Sequence, residues 1–243
     1  MIVLITNDDG FSSSGIRLLR EVALGFASEV WIVAPCNDRS GSARSIKYLI
    51  ENSLEINKHD DKEFSVLGTP VECVIVALHK LMKKKPDLIL SGINYGSNIG
   101  DEVCYSGTIG AAMEGAARLI SSIALSQAYN GQISWVPSQT YALKVINALL
   151  KQGWPNDVVM NVNFPSTKTI TGVQFIEQGK FDINPDFALD TSNSDYNLGW
   201  YKNNTDNSAT LINKGFITIT PMKSDFTDYN TLNDFKKLKT FIS

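Results

Sequence analysis

The chain has 243 residues, 43% hydrophobic and 19% charged, enough to bury a full core as one large domain or one domain with an appendage. A formal net charge of -3 leaves no basic footprint, which argues against a role in binding nucleic-acid polymers. Three scattered cysteines (Cys36, Cys73, Cys104) with no paired spacing argue against a disulfide framework or zinc knuckle and for a reducing cytoplasm, while His59 and His79 are too few for a histidine-rich zinc site.

Ile2 to Ile5 form a continuous apolar run of the kind buried on both faces of a parallel sheet, and the run ends abruptly in Asn7-Asp-Asp-Gly10. A strand starting at Met1 leaves no room for a signal peptide, and no later stretch is long and apolar enough to span a membrane. Asp8 and Asp9 fall at the carboxyl end of the strand, where open α/β sheets bind their ligands. Two adjacent carboxylates turned toward one point repel unless a cation joins them; a solvated Asx turn is the competing explanation of the string. Next, Ile16, Leu19, Val22, Ala23 and Phe26 recur at helical spacing, with Ser14 as the expected cap. Glu29 to Pro35 reads as a second buried strand, so the opening is a β-loop-α-β unit with parallel strands. The polar loop from Cys36 to Ser45 faces the same end of the sheet.

Residues 46–67 alternate unevenly and predict short strands or a hairpin inserted in the main sheet. Thr69-Pro-Val-Glu72 fits a capping box with proline at the first helical position, and Lys83 to Lys85 read as a solvated helix end. His79 is expected at the edge of the core. Asp87 to Ser91 is a third buried strand, emptying into a glycine-rich loop, Gly92-Ile-Asn-Tyr-Gly-Ser-Asn-Ile-Gly100, and then Tyr105-Ser-Gly-Thr108. The helix expected from Ile109 to Arg118 begins among hydroxyls and unpaired amides that favour a phosphate. A strand at 122–127, a helix at 138–150 and a strand at 158–163 extend the alternation to about residue 165, giving an α/β doubly wound, mostly parallel, Rossmann-like sheet. Residues 169–215 suit long excursions or hairpins, 216–221 a strand, and Leu232, Phe235, Leu238 and Ile242 a terminal helix.

Several blocks together resemble the SurE family of divalent-metal-dependent phosphatases acting on nucleoside monophosphates. They are Asn7 to Gly10 with Ser14-Gly-Ile16, Asp38-Arg-Ser-Gly41, Gly68-Thr-Pro70 with Cys73, Ser91-Gly-Ile-Asn94, Tyr105 to Thr108 running into Glu114-Gly115, and Gly215 to Pro221 with Asp225 and Thr227. The resemblance implies metal ligands Asp8, Asp9, Ser40 and Asn94, and phosphate contacts from Asn98, Ser106, Gly107 and Thr108. It also implies catalytic roles for Asp8 and Asp9, as ligands and as base or nucleophile, between which the sequence does not choose. The oxygen-only ligand set suits one magnesium or manganese ion per subunit, with calcium as a further option. The implied activity is 5′-nucleotidase, with 3′-nucleotidase and exopolyphosphatase activity as extensions. The implied organisation is one domain over 1–243, a core of about 1–165 and carboxyl-terminal excursions that join a homodimer or homotetramer. Ser12 to Ser14 and residues 170–210 depart from the family pattern. Two alternatives stand beside this: an aspartyl-phosphate phosphatase, disfavoured because the carboxylates are adjacent, and a non-catalytic metal- and nucleotide-binding regulator. A dinucleotide oxidoreductase is disfavoured because the first turn lacks the glycine fingerprint.

Overall fold

The computed structural model describes residues 1–180 and 207–236. Nine strands form one sheet in the order β3-β4-β2-β1-β5-β6-β7-β9-β8. They are β1 (Ile2–Thr6), β2 (Glu29–Pro35), β3 (Glu55–Asp60), β4 (Glu63–Leu67), β5 (Leu88–Tyr95), β6 (Ser121–Gln127), β7 (Val158–Phe164), β8 (Gly172–Phe175) and β9 (Phe216–Lys223). From β4 through β7 all neighbours run parallel. β3 is antiparallel to β4, β9 is antiparallel to β7, and β8 runs parallel to β9. The sheet is therefore the doubly wound, mostly parallel one the alternation predicts, and the inserted hairpin is β3–β4 at its edge.

Helices cover both faces, which is why β1 is an unbroken apolar run from Ile2 to Ile5 rather than alternating. On one face α1 (Ser14–Leu24) and α4 (Val136–Gln152) pack Ile16, Leu19, Val145 and Ile146 against Val3, Ile5 and Leu90. On the other, α2 (Pro70–Val76) and α3 (Gly107–Ala117) bring Cys73, Val74 and Ala111 to Leu4, Val33 and Ile89. The small residues of α3 have a direct reason. A Cβ at Gly115 would lie 2.4 Å from Ser122 Oγ and 2.6 Å from Ile89 Cδ1, so only glycine lets the helix lie this close to β5 and β6.

The capping box forms as its spacing predicts: Thr69 Oγ1 accepts the Glu72 N–H, and the Glu72 carboxylate accepts the Thr69 N–H. Glu72, fully buried, also accepts the N–H groups of Lys47 and Leu49, tying the 46–50 segment to the helix start. A π-helical stretch (Ala77–Leu81) continues α2. Other details differ from expectation. α1 starts at Ser14, with Ser13 in the capping position and no side-chain cap bond, because the Ser13 hydroxyl accepts from Asn7 Nδ2 instead. His79 is exposed, within 3.1 Å of Arg118 Nη1, rather than at the core edge. β5 runs to Tyr95, past Ser91 and Gly92, where the glycine-rich loop was expected to begin. In the carboxyl-terminal part, α5 (Asn207–Asn213) precedes β9, and the terminal helix is α6 (Tyr229–Phe235), with Leu232 and Phe235 exposed. Leu238 and Ile242 lie outside the described residues. Among the described residues no helix is long and apolar enough to cross a membrane.

Candidate active site

The chain places β2 on one side of β1 and β5 on the other, so the strand order reverses at β1. Such a switch point opens a crevice at the carboxyl ends of the strands, where neighbouring connections leave in opposite directions. Asn7, Asp8 and Asp9 follow β1 directly into that crevice. Asn7 is buried and donates from Nδ2 to Gly10 O at 2.9 Å and to Ser13 Oγ at 2.8 Å, fixing the turn that carries the two acids. The loop after β2 closes over it, the Arg39 N–H donating to Asp8 O at 2.7 Å. Ser40 stands in that loop, its N–H donating to Asp38 Oδ1 at 2.7 Å.

Asp8 is buried, and its carboxylate faces the start of α3. Thr108 donates to it from the hydroxyl and from the backbone N–H. Burial nevertheless holds the Asp8 carboxyl above the ordinary carboxylate range, against the pull of those bonds. Asp9 is half-buried; burial first, and the adjacent Asp8 charge second, push it up to about 7, although it accepts the Tyr95 N–H at 3.2 Å. Asp38 raises both from a distance. Asp9, Asp38 and Ser40 line one open cleft of about 400 Å³ with Tyr95, Ile133 and Trp135. Asn94, near the end of β5, donates from Nδ2 to Gly96 O at 2.9 Å, so Oδ1 is the atom with which it could reach a cation.

The anion side is built from α3. Ser106 caps the helix, its Oγ accepting the Ile109 N–H at 3.2 Å, so its hydroxyl proton remains available as a donor. Gly107 is a point of close approach: a Cβ there would lie 2.7 Å from Ser42 Oγ, 2.9 Å from Asp8 Cβ and 3.0 Å from Asp8 Oδ2. Asn98 is buried in an amide network. Its Nδ2 donates to Ser126 Oγ at 2.8 Å, its N–H to Asn163 Oδ1 at 2.8 Å, and its carbonyl accepts from Asn161 and Asn163. One amide proton of Asn98 is thus committed to Ser126 and the other is left for a ligand.

A family model described as "Survival protein SurE" matches residues 3–184. The chain belongs to the SurE family. Curated relatives named "5'-nucleotidase SurE" come from Wolbachia pipientis wMel, 58% identical over 97% of this chain and 95% of its own, and from Ehrlichia ruminantium (strain Welgevonden), 44% identical over 98% and 100%. Among solved structures, that of the SurE protein from Aquifex aeolicus superposes with a TM-score of 0.81 at 31% identity, covering 98% of this chain and 99% of that one.

For this SurE chain the question is whether the site's donors fit a resident cation. Asp8 and Asp9 are adjacent, desolvated and raised, an arrangement that relaxes when a positive charge lies between them. Beside them, Ser42 Oγ and Asn7 Oδ1 are buried with no hydrogen-bond partner among the described residues. All these donors are oxygens, and no group of three or more His, Cys, Asp or Glu side chains gathers anywhere among the described residues. The donor chemistry fits a hard divalent ion held by two carboxylates, hydroxyl and amide oxygens, not zinc. The sequence singled out Ser40 in the 36–45 loop and passed over Ser42. The two serines flank Gly41: Ser40 lines the cleft with Asp9, and the Ser42 hydroxyl is the buried, unpartnered one.

Proposed function

We propose that this protein is a divalent-metal-dependent 5′-nucleotidase, hydrolysing nucleoside 5′-monophosphates to nucleoside and inorganic phosphate. The observation that carries the reading is the adjacent, charge-repelling acidic pair at the strand-order switch, with Asp8 buried against the amino end of α3 and Asp9 half-buried in the open cleft; the names of the curated relatives agree with it. Asp8, Asp9, Ser40 and Asn94 would hold one magnesium or manganese ion, and the oxygen set accommodates calcium as well. When bound, the ion supplies Lewis-acid polarisation of a phosphoryl oxygen.

The remaining chemistry belongs to the chain. Ser106, the Gly107 N–H and the free amide proton of Asn98 are the donors for the equatorial phosphoryl oxygens, as a phosphoryl transition state requires. Thr108, bonded to Asp8 by hydroxyl and N–H, sets the orientation of that carboxylate and thereby the distance between acidic pair and phosphate. Asp9, which lines the cleft, is the carboxylate that accepts the proton of the attacking water. The free state of Cys36, Cys73 and Cys104 supports a reducing, cytoplasmic setting. Exposed Phe175 and Phe226 near the β8–β9 edge support assembly into a homodimer or homotetramer.

The test is release of inorganic phosphate from AMP or GMP with manganese or magnesium, against an EDTA control. Release that stops in EDTA and returns with metal is expected. AMP binding without turnover would make the protein a nucleotide-binding regulator instead. Metal affinity carries a signature of its own. Protonation of Asp9, raised to about 7, competes with the ion, so affinity measured calorimetrically falls as the pH drops from 8 to 6.

A further inference from the structure

The cleft at Asp9 is lined by two unlike sets of side chains: Asp9, Asp38 and Ser40 are polar, whereas Tyr95, Ile133 and Trp135 are aromatic or apolar. Tyr95 closes β5, its backbone N–H held on the Asp9 carboxylate, so its ring projects from the residue next to the acidic centre. Across the sheet Tyr95 is in register with Gln127 at the end of β6, and two residues further on the chain carries Tyr129. The two rings meet with centroids 5.3 Å apart and planes tilted by 37°. Both remain about half exposed, 49% for Tyr95 and 50% for Tyr129.

Neither ring is core packing, because a tyrosine that stabilises the fold by burial would have hidden its apolar face. The pair is nonetheless held in place. Gly96 N–H donates to Gln127 O at 2.9 Å, tying the residue after Tyr95 to the strand that leads to Tyr129, and an Asn130–Gln132 bridge closes the turn beyond Tyr129. Trp135 lines the same cleft as Tyr95, close enough to α1 that a Cβ at Gly15 would lie 3.1 Å from its ring. Aromatic rings on ordered backbone, open to solvent and beside the acidic centre, have the chemistry of a stacking surface for a flat ring joined to a phosphate.

We propose that Tyr95 and Tyr129 form the platform on which the base of the substrate nucleotide stacks, with recognition through its π-face rather than its hydrogen-bonding edge. The inference rests on the nucleotidase reading of the Asp8–Asp9 centre. Because every base presents a π-face, the platform accepts purines and pyrimidines alike and disfavours a sugar phosphate that lacks a base.

The experiment compares AMP with ribose 5-phosphate on the manganese-loaded full chain. The Tyr129→Ala variant is expected to lower the ratio of kcat/KM on AMP to that on ribose 5-phosphate about tenfold, the scale of one base–aromatic stack, while Tyr129→Phe keeps it within about twofold. If both substrates fall together, or the ratio does not move, the platform is refuted; a change of oligomeric mass with an unmoved ratio would make the pair a contact between copies. Should the wild-type chain hydrolyse neither compound, the nucleotidase reading fails alone, and calorimetric binding decides the platform. AMP binding about tenfold tighter than ribose 5-phosphate, with the preference lost in Tyr129→Ala, sustains it, and equal affinities overturn it.

Discussion

The middle of the sheet and its β8–β9 edge spend their residues in opposite ways. Around β1 and β5 the chain buries groups that would rather be in water, Asp8 among them, and surrounds them with backbone N–H groups, a threonine and unpartnered oxygens. At the edge it leaves in water groups that would rather be buried: Phe175 at 62% exposure and Phe226 at 85%. The first arrangement is costly in an isolated fold, and the ion and anion of the proposed function would relieve it. The second is costly for solubility, and the proposed contact between copies would relieve it. The two costs have opposite signs, so the two proposals can be tested apart.

The sharpest way to break that comparison is Asp8→Asn. Loss of the ligand should reduce metal-dependent turnover by about 10³-fold or more, since several kcal/mol of electrostatic stabilisation go with it. The amide still accepts from Thr108 and removes a desolvated charge, so in EDTA the Tm should not fall. A variant as active as wild type would remove Asp8 from the site, and a large loss of Tm would turn the pair into a structural feature. Gly107→Ala probes the same centre more gently. Its methyl would press on Ser42 Oγ and on Asp8, and overpacking of this kind costs about 1–3 kcal/mol. A fall in kcat of about 10–100-fold, larger than any change in Tm implies, would show that the acidic pair has moved.

The two regions also differed in how far the sequence revealed them. The buried strands were legible because an unbroken apolar run has one cheap solution, a sheet covered on both faces, and Asp8 and Asp9 were legible because they interrupt such a run. The Thr69–Glu72 box was legible because its spacing is local. What stayed hidden depends on contacts between distant parts of the chain. Asn94 was expected in a loop, yet it lies in β5, pairing with Ser126 after a register shift that the glycine at 92 disguises. Asn98 meets Asn161 and Asn163, more than sixty positions away. Ser42 was indistinguishable from its neighbours as a string. Along β8 the strand is short and Val173 and Phe175 face solvent, so no core pattern existed to be read there.

For the edge, Phe175→Asp is the corresponding test. A charge on β8 should lower the mass measured by light scattering at micromolar concentration toward that of one chain, while kcat on AMP changes less than about threefold. Unchanged mass would show that the exposed apolar edge is not where copies meet, and would remove the second half of the comparison without touching the first.

The smallest expected effect comes from Glu102, in the 3₁₀ turn (Gly100–Cys104) between β5 and α3. Desolvation alone pushes its carboxyl from an ordinary 4.5 up to about 7. A raised folded-state value means the native protein binds the proton more tightly than the unfolded chain does. Its contribution to stability is then complete below about 4.5 and is lost as the pH rises through about 7. Glu102→Gln keeps the shape and abolishes the titration, so the variant should gain on wild type as the pH increases. Partial exposure reduces the gain to about 1 kcal/mol at pH 8, or about 2–4 °C in Tm, with no difference at pH 4. Because Glu102 is desolvated without an opposing charge in view, a gain that persisted unchanged at pH 4 would point to packing rather than charge as the source. Loss of stability at pH 8 would mean that an opposing charge compensates this carboxylate in the folded protein.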